Sequence, residues 1–264
     1  MQDLLEAPPS RKRLKEVFLD SQREAFPADV LNCVAHMILV ADDPEEVATV
    51  ALGFLVERLG ICRGDLGFLT PDDPVYAPVA VQYSRASDPP RCDTATYRNQ
   101  AEVFRRTWRQ AAPVACDDVA SHPLLADSRE TFQAIESRSI LFQRLAFARR
   151  PVGLMCLDTT RRTHVWTDAE KAFIAGFSDT FLGPLTAVSR RWQLGPEGER
   201  AALRQPSRAE LDAIRLAAQG LSCGEIGAAL GKSARTIENQ LRSARIALGA
   251  ANRTQLISKC EIWL

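Results

Sequence analysis

The sequence predicts an α+β chain in two parts, a larger domain of mixed helices and strands and then a small all-α domain of four helices. Three observations carry this. Residues 206–264 repeat helix-start signals at short spacing, most of them closed by a glycine. Residues 27–192 alternate amphipathic runs with short β-branched and aromatic runs. Between the two, residues 193–205 hold Gly195-Pro196-Glu197-Gly198-Glu199 and little that is apolar, the composition of a linker. A leading segment, residues 1–26, carries the basic run Ser10-Arg11-Lys12-Arg13-Leu14-Lys15, read as a solvated stretch or helix start.

In the larger domain, helical periodicity runs over residues 29–41. Pro44 follows two aspartates, an N1 proline behind a cap. It opens a helix carrying Val47, Val50, Ala51, Phe54, Leu55 and Leu59 that Gly60 stops. Strand-like runs follow at 65–70 and 79–84. Residues 97–110 put Val103, Phe104 and Trp108 on one side and read as helix. The run from Pro113 to Val119 leads into a loop through His122-Pro123, and 131–135 is expected as a helical turn. Residues 139–148 and 151–158 read as a hairpin with its tip at Arg149-Arg150. Thr167 and Glu170 form a capping box for a long helix with Phe173, Ile174, Phe177, Phe181, Leu185 and Val188, which Pro184 should kink.

The small domain repeats one device. Ser207 with Glu210, and Ser222 with Glu225, are capping boxes whose helices end at Gly220 and Gly231. Ser233 caps the next helix after a very short turn, as a helix-turn-helix requires, and Asn252 with Gln255 opens a fourth. In the third helix Ile237, Leu241, Ala244 and Leu248 share one face, while Arg235, Glu238, Asn239, Arg242 and Arg245 fall opposite. Arg suits guanine, Asn suits adenine and Glu suits the cytosine amino group, so this face is expected to enter a major groove.

Residues 205–259 resemble the LuxR/NarL-type four-helix DNA-binding domain. The resemblance rests on Gln219-Gly220-Leu221-Ser222, Glu225-Ile226, Leu230-Gly231, Ser233, Thr236-Ile237, Leu248-Gly249 and Asn252-Arg253-Thr254. It implies Glu238, Asn239 and Arg242 nearest the bases, Lys232, Thr236, Arg245 and Arg253 near phosphates, and a homodimer joined through the last helix. Glu238, Gln240 and Ala247 depart from the residues usual there, which leaves the operator open. Residues 27–192 resemble a GAF sensor domain. This second resemblance rests on Pro44-Glu45-Glu46-Val47 with Leu59-Gly60, Pro113 to Val119, Ile140 with Val152 to Leu157, and Trp166-Thr167. It implies an antiparallel sheet with helices and a small-molecule effector between the sheet and the middle segment. Tyr97, Phe104, Trp108, Asp118, Phe132 and Phe142 are the candidate lining, although aromatics of this kind also serve as plain core.

Composition narrows the function classes. Basic and acidic residues balance at 33 each, but from residue 196 onward ten basic residues face seven acidic ones, an asymmetry that suits a DNA-binding module. No apolar run reaches a membrane span, and the start of the chain is no secretory signal. The seven cysteines are scattered without any C-x-x-C pair, which favours a reduced, cytoplasmic setting and gives no metal site. Cys92 and Cys116 are the candidates for redox sensing. The expected function is a one-component transcriptional regulator, not an enzyme. It needs no cofactor, has no catalytic residue, and its partners are double-stranded DNA, a second copy, a small-molecule or redox signal and, as the reading allows, RNA polymerase. A response regulator or a GAF-type small-molecule reductase is the alternative, but Asp117-Asp118 and Asp158 do not fall in a phosphoacceptor order.

Overall fold

A computed structural model describes residues 9–85, 89–92, 97–201, 206–248, 250 and 252–260, with the side chains of 194–201, 246 and 247 excepted. The first eight residues, the linker's end at 202–205, the side chain of Ala247 and Gly249 lie outside that description. Contacts divide the chain into two compact units, Met1–Gln193 and Leu194–Leu264.

The first unit begins with three helices, α1 (Arg11–Phe18), α2 (Ala28–Leu39) and α3 (Pro44–Leu59). The basic run is therefore a helix, started by the Ser10 hydroxyl accepting from the Arg13 amide. Asp43 caps α3 by accepting from the amides of Glu45 and Glu46, and Gly60 closes it in the left-handed conformation at φ 63°. The strands β1 (Arg63–Gly67), β2 (Val75–Tyr76), β3 (Ala80–Tyr83) and β4 (Tyr97–Arg98) come next, then α4 (Glu102–Arg109), β5 (Val114–Cys116) and α5 (Arg129–Ala134). The hairpin β6 (Ser139–Phe147) and β7 (Arg150–Thr159) precedes α6 (Asp168–Phe177) and α7 (Gly183–Ala201).

Five strands form one antiparallel sheet in the order β3-β1-β7-β6-β5, and β2 pairs with β4 in a separate ribbon. The helix α3 packs on β1 and β3. It does so because Gly64 removes a side chain there: a Cβ would meet Leu157 at 2.9 Å and Leu52 at 3.2 Å. The opposite sheet face carries the aromatic core built from β2, β4, α4 and α5.

Three expectations are corrected. Tyr97 opens no helix; it pairs with Tyr76 in the small ribbon, and α4 starts five residues later. The first strand lies at Arg63–Gly67 rather than at 65–70, because Arg63, which reads as a surface residue, is buried and starts the pairing with β3 and β7. The segment expected as a linker is helical as far as Ala201, although Gly195, Pro196 and Gly198 are residues that disfavour a helix interior. Just ahead of Pro184, where a kink is expected, the helix holds a π-helical turn over Ser178–Leu182. Gly183 follows that turn where the backbone of β6 comes close, since a Cβ there would lie 2.5 Å from the Ala146 carbonyl.

The second unit holds α8 (Arg208–Ala218), α9 (Cys223–Leu230), α10 (Ala234–Ala247) and α11 (Arg253–Cys260). Both serine–glutamate capping boxes are formed, at Ser207 and Ser222, as is the Thr167 box in the first unit. The Asn252 side chain accepts from the Gln255 amide at 2.9 Å and starts α11.

Candidate functional site

The turn between α9 and α10 is only Gly231-Lys232-Ser233. Gly231 sits at φ 63° and Ser233 accepts from the Thr236 amide at 3.1 Å. Gly227 lets the two helices meet here, because a Cβ on it would lie 2.6 Å from the Lys232 carbonyl. Ile237 is fully buried against α8 and α9, and Ala244 against α8 and α11, which fixes the roll of α10 about its axis. That roll exposes Arg235, Thr236, Glu238, Asn239 and Arg242. Five of the eight residues expected at DNA thus form one solvent-facing band on one helix.

The other three are placed differently. The Lys232 ammonium donates to the Gln240 side chain at 3.4 Å. Arg245 is half-buried. Arg253 ties α11 to α8 by donating to the carbonyls of Ala217 at 3.0 Å and Leu221 at 2.5 Å. Arginine near the C-terminal end of a helix satisfies carbonyls that have no partner within it. A groove of about 340 Å³ runs beside α10, with Glu238, Arg242, Arg245 and Arg253 over Leu241 and Leu256.

In the first unit, four of the six expected lining residues come together. Tyr97 stacks on Phe132 at 5.0 Å, and Phe142 meets Phe104 at 5.5 Å and Phe132 at 5.6 Å edge-to-face. Tyr76, which sequence reasoning passed over, completes the cluster 5.5 Å from Phe104. All five rings are buried against one another as core. Trp108 sits at the margin, its indole N–H donating to the buried Asn99 at 2.8 Å. Asp118 is spent on a turn, accepting from the Ala120 amide and the Ser121 hydroxyl, and it does not join the rings.

Polar groups missed by sequence reasoning lie under this core. Arg63 on β1 donates from Nε and Nη2 to both oxygens of Asp158 on β7, at 2.8 and 2.7 Å. It also reaches the carbonyls of Pro90 and Ile135 and the Ser137 hydroxyl. Burial pushes the Asp158 carboxyl up, against the pull of the Arg63 charge. The two candidate redox thiols are buried, and burial pushes each up to about 12, away from a reactive thiolate. Cys116 lies 3.4 Å from His122 Nδ1, a nitrogen that also accepts the Leu124 amide. Among the described residues no group of three or more metal-binding side chains occurs, and no helix is long and apolar enough to cross a membrane.

No protein-family model matches this chain, and no curated protein matches it in sequence. Solved structures match its N-terminal part. A far-red absorbing dark-state protein with bound biliverdin IXa is 13% identical, with a TM-score of 0.52, and the match covers 61% of this chain and 98% of that one. The PixJ GAF domain of Thermosynechococcus elongatus in its blue-light absorbing form is 14% identical at TM-score 0.45, covering 63% and 90%. The free methionine-R-sulfoxide reductase of Neisseria meningitidis, solved with its substrate, is 16% identical at TM-score 0.45, covering 63% and 95%. The N-terminal part has a GAF-like fold. In this GAF-like unit α3 lies on one sheet face, and the aromatic ribbon, α4 and α5 cover the other.

Proposed function

We propose that the chain is a DNA-binding transcriptional regulator, with its C-terminal unit a LuxR/NarL-type helix-turn-helix and its GAF-like unit a sensor. The observation that carries this is the exposed band of Arg235, Thr236, Glu238, Asn239 and Arg242 on a helix joined to its predecessor by a three-residue turn. The apolar face of α10 is buried and its polar face is free to meet base edges and phosphates. The regulator acts as a homodimer on two half-sites, and a small-molecule signal at the GAF-like unit alters its grip. The thiol arm of the signal has little support, because Cys92 and Cys116 are buried and pushed away from ionisation. In this reading the chain catalyses no reaction.

Arg242→Ala tests the assignment in the full-length chain. It should weaken specific DNA binding by about 1–3 kcal/mol, roughly 10- to 100-fold, and relax base preference at one position. Arg253→Ala should act through folding, lowering the melting temperature of the C-terminal unit. Anisotropy titrations beside thermal melts separate the two. Equal DNA affinity for Arg242→Ala and the parent chain would remove α10 as the reading helix.

A further inference from the structure

Glu238, Leu241, Arg242 and Arg245 recur on α10 at the spacing that lines one edge of a helix. That edge borders the groove beside α10. The other walls come from Cys223, which follows the Ser222 cap at the start of α9, and from Arg253 and Leu256 in the first turn of α11. At about 340 Å³ the groove lies at the lower end of the range of small-molecule sites, about 300–1,000 Å³. Its accessible wall is mainly apolar, yet three guanidiniums stand around it against the one carboxylate of Glu238. Arg242 is exposed and Arg245 half-buried beside it. The bonds that hold Arg253 to Ala217 and Leu221 both leave from Nη2, and a guanidinium carries five N–H donors. Duplex phosphates would use these arginines but would give the apolar wall no role.

We propose that this groove binds a medium-chain carboxylate, its head on the Arg242 and Arg245 guanidiniums and its chain along Leu241, Leu256 and Cys223. A guanidinium takes a carboxylate through two parallel N–H···O bonds, and an alkyl chain gains free energy as apolar wall removes it from water. Phosphate meets only the first demand and an alcohol only the second. The modest volume suits a chain of medium length. Glu238 and Arg242 line the groove and also belong to the band proposed to meet the bases, so a bound carboxylate and DNA exclude each other. That exclusion rests on the regulator reading; occupancy of the groove does not.

Cys223 reports occupancy without any variant, because it keeps accessible surface while the other six cysteines are buried. The folded full-length chain is alkylated with iodoacetamide, a neutral reagent, and labelling of Cys223 is followed by peptide mass spectrometry. Octanoate below its micellar range should slow that labelling about tenfold, as a site occupied nine parts in ten would. Octanol, butyrate and inorganic phosphate at matched concentration and ionic strength should not. Arg242→Ala and Arg245→Ala, each with native circular dichroism, should raise the octanoate concentration needed by about tenfold, the loss of one charge-assisted contact. In anisotropy titrations octanoate should weaken DNA binding over the same range in which it protects Cys223. Octanoate that leaves Cys223 unprotected overturns the site, as does octanol that protects equally well or folded arginine variants with unchanged octanoate affinity. Protection with undiminished DNA affinity overturns the exclusion. A chain that binds no DNA but still shields Cys223 supports the site and removes the regulator reading alone.

Discussion

Arg63→Ala is expected to destabilise the GAF-like unit by about 3–5 kcal/mol, the cost of leaving a buried charge without its partner. Arg63 is 1% and Asp158 4% exposed, so water replaces little of what is lost. The guanidinium also draws β1, β7, Pro90 and the segment at Ile135 and Ser137 together, and those carbonyls lose a donor with it. Asp158→Ala should cost a similar amount by stranding the cation. The double replacement Arg63→Met with Asp158→Leu should cost much less than the two single changes added, since an apolar pair carries no desolvation penalty. The effect has a pH sign. Asp158 already binds its proton more tightly folded than unfolded, and removing Arg63 raises that affinity further. The variant's deficit should therefore shrink as pH falls, because a protonated Asp158 needs no cation. Denaturant titrations of the parent and variants across that range measure it, and a deficit that grows on acidification would contradict the account.

Phe142→Ala is expected to cost about 3–5 kcal/mol as well, through lost burial and the cavity left behind. The ring is fully buried on β6 and makes edge-to-face contacts with both Phe104 and Phe132. Each contact adds roughly 0.5–1.5 kcal/mol beyond the area buried. The same measurement decides between core and ligand lining for this ring. A loss below about 1 kcal/mol by chemical denaturation would mean that the ring borders open space rather than packed neighbours.

Local signals were the legible ones. The capping boxes at Thr167, Ser207 and Ser222 form as read, because a cap closes over three residues and needs no distant partner. The buried face of α10 was legible for the same reason, as Ile237 and Ala244 repeat at helical spacing. Features that depend on distant pairing were hidden. Tyr76 and Tyr97 lie in strands of two residues that exist only by pairing with each other, so Tyr97 read as the start of a helix. Arg63 and Asp65 look like the solvent face of a strand. Only the fold reveals that one is neutralised by Asp158, far along the chain, and the other roofed by Tyr76. For the candidate interface, position on the helix was readable but engagement was not. Arg253 looks like any basic residue until Ala217 and Leu221 are seen to hold it.

The most direct test is an electrophoretic shift of the folded, full-length chain against fragments of its source genome at low salt. The regulator reading predicts that a subset of fragments is retained in the presence of excess unrelated DNA. It predicts further that this affinity falls linearly with log salt as phosphate contacts release counter-ions. A folded chain that leaves every fragment unshifted at low salt would contradict it.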